Sequence, residues 1–193
     1  MQRPNDKKRR DILTAAERLF AMRAFHVVKL DDIAARARIG KGTIYIYFKN
    51  KEDLYLTLIR EGMADLLGKL RQRIEADEEP AIATLEVIVR EMVRFAAARP
   101  NMYQLMRVVL PGTKSLAERG ELAKLVETVL RRGVRSGELV DPHPELTAQF
   151  LPSAIRAAMV FGPQSASEEL RVRHIVRVFA QGLLPRSKEK SLK

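Results

Sequence analysis

The chain has 193 residues, with 35 Lys and Arg against 24 Asp and Glu for a formal charge of +11, 46% hydrophobic residues, three histidines and no cysteine. That apolar content supports a folded core and excludes a disordered basic tail, and the lack of cysteine excludes disulfides, thiolate zinc sites and a thiol nucleophile. The longest uncharged run, Ala157 to Ser167, is 11 residues, short of the roughly 18 to 20 that a membrane-spanning helix needs, so no membrane partner is expected.

Apolar residues recur at helical spacing along nearly the whole chain and no stretch alternates with period two, which predicts an all-α fold. The first helix runs from about Asp6 to Arg23, with Ile12, Leu13, Ala16, Leu19 and Phe20 on one face and Asn5 or Asp6 as N-cap. It opens with Lys7-Lys8-Arg9-Arg10 but then alternates charge with apolar residues through Glu17 and Arg18, without the apolar core of a secretory signal, so the expected location is the cytoplasm. Two short helices follow, about Leu30 to Ala37 and Lys41 to Phe48. Asn50 with Asp53 then caps a long amphipathic helix carrying Leu54, Leu58, Met63, Leu66, Leu70 and Ile74. Pro80 opens a helix reaching Arg99, and Pro100 ends that one and opens another to about Leu110. After the Pro111-Gly112 break, Ser115 and Glu118 form a capping box for a helix ending near Ser136-Gly137. Asp141-Pro142-His143-Pro144 separates it from a helix reaching Phe161, in which Pro152 predicts a kink. Gly162-Pro163 breaks again, and Ser165 with Glu168 caps the last helix, which carries Leu170, Ile175, Val176, Phe179 and Leu183. Residues 186–193 read as a basic tail. The expected domains are 1–50, 51–185 and this tail.

The positive charge is concentrated at one end. Residues 1–60 hold 14 Lys and Arg against 7 Asp and Glu, whereas residues 61–185 hold 17 against 16. A basic segment joined to a nearly neutral body suits a polyanion at one end and another task at the other.

Within the basic segment, Asp31 to Lys51 reads as two short helices joined by a tight turn, which is helix-turn-helix geometry. Ile33, Ala34 and Ala37 let the helices cross closely, and Ile39, Ile44 and Phe48 anchor the pair to the first helix, with Ile46 expected to compete for burial beside them. Lys41, Gly42, Thr43, Tyr45 and Tyr47 then form the exposed face. Lys41 can donate to guanine N7 or O6 or neutralise a phosphate, and Gly42 lets the backbone approach the duplex. Thr43, Tyr45 and Tyr47 offer hydroxyls to phosphate, and Tyr45 can lay its ring on a thymine methyl. Lys51 sits at a helix N-terminus that already favours an anion.

Residues about 12 to 58 resemble the N-terminal DNA-binding domain of the TetR family of transcriptional regulators. The resemblance rests on Ala16-Glu17-Arg18-Leu19-Phe20, Ile33-Ala34, Ala37, Gly42-Thr43-Ile44-Tyr45, and Phe48 followed by Lys51-Glu52-Asp53-Leu54. It implies an all-helical subunit of about nine helices, an N-terminal three-helix head that reads DNA, and a C-terminal domain that binds a ligand and dimerises. Four positions depart from the family pattern. Lys29 stands where Ser or Thr commonly caps the second helix, Arg38 replaces a turn glycine, Gly40 replaces a Ser cap of the third helix, and Ala24 replaces a glycine after the first. Losing a hydroxyl cap costs roughly 1 kcal/mol, although glycine at the cap loses only a few tenths. Lys29 and Arg38 offset this with charge toward DNA, which makes Lys29, Arg38 and Gly40 part of the expected DNA-binding set.

Met63, Leu67, Met92, Phe95, Met102, Tyr103, Met106 and Phe150 lie on the later helices, where they either pack a core or line an effector pocket between bundle helices. Ile155, Met159, Val172, Ile175, Val176 and Phe179, on the last two helices, are the expected isologous dimer contact. His26, His143 and His174 lack ligand spacing, so no metal or cofactor is expected, and no Ser/His/Asp arrangement marks an enzyme. The expectation is a ligand-responsive homodimeric regulator, a repressor by resemblance, binding a near-palindromic double-stranded operator and released by a small apolar effector. Two alternatives remain open: a constitutive DNA-binding or interaction module without effector, and a helical small-molecule carrier or enzyme.

Overall fold

The computed structural model describes residues 6–76, 79–99, 102–103 and 114–183, with the side chains of 76, 114–119 and 181 left aside. Among the described residues all regular structure is helical: α1 (Asp6–Met22), α2 (Leu30–Ala37), α3 (Lys41–Tyr47), α4 (Lys51–Ala76), α5 (Ala81–Ala97), α6 (Lys114–Ser136), α7 (Pro144–Val160) and α8 (Glu168–Leu183). The chain divides into two compact units, Met1–Asp65 with Ala98–Ser115, and Leu66–Ala97 with Leu116–Lys193. Helix α4 belongs to the first unit up to Asp65 and to the second from Leu66. The Ser115–Glu118 capping pair, the helix expected from Pro100 to Leu110 apart from residues 102–103, Met106 and the basic tail lie outside what is described.

In the first unit, α1 packs on α2 and α2 on α3. The expected apolar face of α1, Ile12, Leu13, Ala16, Leu19 and Phe20, is buried, together with Ile33, Ile44, Phe48, Leu54 and Ile59. Phe20, Phe25 and Tyr55 form an aromatic cluster: Phe20 meets Tyr55 edge-on at 4.7 Å between centroids, and Phe25 meets Tyr55 at 5.4 Å. Such contacts add to the burial of the rings themselves. The Asn50 cap forms as expected: Asn50 Oδ1 accepts from Asp53 N at 2.7 Å, and Asp53 Oδ2 accepts from Lys49 N at 3.0 Å. Arg99, which follows α5, joins this unit by pairing with Glu17 of α1 at 2.6 Å.

In the second unit, α5 packs on α7 and α8, which also pack on each other. Helix α5 buries Leu85, Ile88, Val89, Met92 and Val93 at helical spacing. Its first turn is capped from a distance, because the Glu138 carboxylate accepts from Ala81 N at 2.6 Å and from Ile82 N at 3.0 Å. A carboxylate there satisfies two orphan amides and meets the positive end of the helix dipole. The backbone can deliver Glu138 because Gly137 ends α6 at φ 78, a left-handed conformation suited to glycine. One turn earlier, a Cβ on Gly133 would stand 2.6 Å from Leu139 and 2.7 Å from Ala81, so only glycine permits this approach.

Two expectations are corrected at helix ends. The cap of α8 is Ser167, whose Oγ accepts from Leu170 N at 3.2 Å, and not Ser165; helix α8 begins at Glu168, so the residue immediately before it holds the capping position. Helix α5 stops at Ala97, before Arg99. Helix α7 continues through Pro152 with Pro144 in its first turn, where the missing N–H costs nothing. No helix among the described residues is long and apolar enough to cross a membrane.

Candidate nucleic-acid interface

The turn between α2 and α3 sets the direction of everything that follows. Arg38 takes φ 56 and ψ 45, the only positive φ outside glycine among the described residues, and donates its N–H to Ala35 O at 3.1 Å. Ile39 N donates to Ala34 O at 3.0 Å, which completes a left-handed helix ending. A non-glycine residue there costs about 1 kcal/mol or somewhat more, and in return an exposed guanidinium stands where a glycine would present nothing. Lys29 is the exposed N-cap of α2 and has no acceptor of its own; the reciprocal arm is made by Asp32, whose Oδ2 accepts from Lys29 N at 3.4 Å. Gly40 caps α3 without a side chain, its carbonyl accepting from Thr43 N at 2.9 Å.

Helix α3 advances about 100° per residue, and the burial follows that rotation. Ile44 and Phe48, one turn apart, are buried against the rest of the unit. Ile46, about 200° from Ile44, cannot share that side, and it is 56% exposed, which corrects the expectation that it competes for burial. Tyr45 is 52% exposed, Lys41 and Gly42 are exposed, and Thr43 and Tyr47 are half-buried on the flanks. A Cβ on Gly42 would meet nothing within 4 Å, so the backbone surface there is open. The outward face thus combines a cation, a bare backbone, a phenol and an apolar side chain, the groups that read phosphate, groove edge and thymine methyl. Ile46 was not expected on the outward face, although its angular position alone places it there.

Two of the expected cations are already engaged. Lys41 Nζ donates to Asp31 Oδ2 at 3.0 Å, and this carboxylate raises the Lys41 ammonium above the ordinary lysine value. Lys51 Nζ donates to the carbonyls of Phe25 and Val28, each at 2.9 Å, and lies 4.5 Å from the centre of the Phe25 ring. It therefore ties the α1–α2 connection to the start of α4, and its third N–H is the one that a phosphate could take.

The remaining site expectations distribute as follows. Met63, Met102 and Tyr103 belong to the first unit, with Met63 and Met102 buried. Leu67, Met92 and Phe95 are buried in the second. Phe150, expected in an effector pocket, is instead 64% exposed on α7, because Ala148, Leu151 and Ile155 occupy the buried side of that helix. Half of the dimer set is corrected in the opposite sense. Ile155, Val172 and Ile175 are interior residues of the subunit, while Met159, Val176 and Phe179 are half-buried. The exposed apolar residues of α7, its C-cap and α8 are Leu146, Phe150, Val160, Phe161, Leu170 and Val178. Their signal was available, since α7 carries two apolar stripes and one helix cannot turn both toward the same core.

Residues 12–58 match the family described as bacterial regulatory proteins, tetR family. The chain is 27% identical over 159 residues to the uncharacterized HTH-type transcriptional regulator YhgD of Bacillus subtilis, covering 78% of this chain and 81% of the relative. It is also 27% identical over 134 residues to the fatty acid metabolism regulator protein of Bacillus subtilis, covering 66% of this chain and 69% of that protein. Among solved structures, that of the transcriptional regulator FadR from Bacillus subtilis in complex with stearoyl-CoA aligns with a TM-score of 0.69 at 21% identity, over 90% of this chain and 98% of the other. The matched head, the outward-facing α3 and relatives that share most of the chain lead to one assignment: residues 12–58 are a helix-turn-helix head of the tetR family of bacterial regulatory proteins, and the chain is a DNA-binding transcriptional regulator.

Proposed function

We propose that the chain acts in the cytoplasm as a homodimeric repressor without catalytic activity, releasing its operator when a small apolar effector binds. Residues 1–50 carry DNA contact through Lys29, Arg38, Gly40, Lys41, Gly42, Thr43, Tyr45 and Tyr47, to which Ile46 is added, with Lys51 at the start of α4 joining them. Residues 51–185 carry the effector and the partner subunit. The observation that carries this reading is the solvent face of α3, where Tyr45 and Ile46 are more than half exposed beside Lys41 in a strongly basic head. Two such helices one duplex turn apart, about 34 Å, would read a near-palindrome.

Fluorescence anisotropy on a labelled random-sequence 30-base-pair duplex at low salt tests it. The wild-type chain is expected to bind with an affinity that falls steeply with salt, and Tyr45→Ala to weaken binding about tenfold. No binding by the wild type would overturn the reading and favour a helical carrier.

The exposed apolar stripe of α7, Leu146, Phe150 and Phe161, is the surface we assign to a second copy. Its spacing, four residues and then eleven, keeps the three side chains on one side of the helix.

For the effector, the relative solved with stearoyl-CoA and the relative named for fatty acid metabolism support a long-chain acyl compound. The nearly neutral balance of residues 61–185 agrees with an apolar acyl chain as the part of the ligand taken into the body. Stearoyl-CoA at a hundredfold excess over its Kd is expected to raise the unfolding midpoint by about 5 °C or more. No shift with any acyl chain length would favour the constitutive module.

A further inference from the structure

We infer that Asp31 is a restraint on indiscriminate DNA binding, holding the Lys41 ammonium in a contact that a duplex must displace. The inference rests on α3 being the DNA-reading helix. Lys41 is the first residue of α3 and Asp31 the second residue of α2, and their side chains meet at 3.0 Å while remaining 51% and 60% exposed. An exposed pair of this kind is weak and exchangeable, worth a small fraction of the energy of a bound complex. It can therefore open when something better is offered.

The neighbouring acids have other tasks. Asp32 lies 3.7 Å from Arg23 and accepts from the Lys29 amide, and Asp53 accepts from the Lys49 amide. Asp31 faces the reading helix instead. Its carboxylate also stands close to where a polyanion would approach, so it opposes phosphate in two ways: it occupies the cation, and it repels the ligand. A random duplex offers Lys41 one phosphate in exchange for one carboxylate, close to an even trade. A base edge placed to accept from Lys41 together with the contacts of Tyr45 and Ile46 offers more. The pair thus lowers affinity by a similar amount everywhere, which leaves random sequence with little to gain from Lys41 while a matched sequence keeps a surplus.

The test is anisotropy on the random-sequence 30-base-pair duplex, with wild type, Asp31→Asn, Lys41→Met and the double variant, across a salt series. Circular dichroism confirms that each retains its helicity. Asp31→Asn is expected to tighten binding about threefold to fivefold at low salt and to steepen the log–log salt slope by about 0.9, one additional ionic contact. In the Lys41→Met background the same substitution is expected to change affinity by less than about 1.5-fold, because the cation it released is gone. Equal tightening in both backgrounds would overturn the inference, since Asp31 would then act only through net charge. Unchanged affinity for Asp31→Asn in the wild-type background would overturn it as well. Absence of binding by all four proteins would instead remove the DNA reading beneath it.

Discussion

Replacing Lys51 with methionine is expected to destabilise the first unit by about 2–3 kcal/mol, because two charge-assisted hydrogen bonds are lost together and their acceptors are left behind. The Phe25 and Val28 carbonyls sit in the connection between α1 and α2, and Lys51 Nζ is the donor that holds both at 2.9 Å. Val28 itself is fully buried, so loosening this connection disturbs the core as well as the surface. Methionine keeps the aliphatic stem and can still touch Phe25, which isolates the ammonium as the quantity changed. The ammonium over the Phe25 ring adds roughly 0.5–1 kcal/mol. For a chain of this size the unfolding midpoint is expected to fall by about 5–10 °C, read by calorimetry or by circular dichroism. A purely DNA-facing lysine predicts something different: unchanged stability and a salt slope for duplex binding that flattens by about 0.9. The two measurements separate a latch from a phosphate contact, and an unchanged midpoint would refute the latch.

Placing a glutamate at Phe150 is expected to split the proposed dimer, raising its Kd at least about 100-fold, or roughly 2.7 kcal/mol. Phe150 is 64% exposed in the subunit and Phe161, on the same side of α7, is 82% exposed. Side chains of this size standing in water on one helix are the usual mark of a surface completed by a partner. In an isologous contact each substitution enters twice, so two carboxylates would be buried without cations opposite them. The subunit fold should tolerate the change, since α7 is held by Ala148, Leu151 and Ile155 on its other side. Sedimentation velocity across a concentration series provides the measurement. A dimer as tight as wild type would assign the stripe to another partner.

Much of the head is legible in the sequence because its contacts are local. Ile33, Ile44 and Phe48 declare their burial by spacing, the bounds of α2 match the expectation, and Asn50 followed by Asp53 announces the α4 cap. The engagements of Lys41 and Lys51 were not legible. Lys41 finds its carboxylate ten residues away and Lys51 finds its carbonyls 23 and 26 residues away, and no periodicity encodes a meeting between elements. In the body the difficulty is reversed. Ile155, Val172 and Ile175 have the composition of an interface and the position of a core. Apolar character tells that a side chain will leave water but not whether its own subunit or another will cover it.

The distant cap on α5 bears on the order in which the molecule can assemble during synthesis. Ala81 and Ile82 find their acceptor in Glu138, and the buried side of α5 is covered by α7 and by α8, which begins at Glu168. A ribosome making the chain from its N-terminus therefore releases α5 with an open first turn and an uncovered apolar stripe, Leu85 to Val93, and supplies what closes them only once Glu138, α7 and α8 have followed. The nascent body is most exposed to aggregation in that interval, and a truncation that removes α8 should leave α5 without its main packing surface.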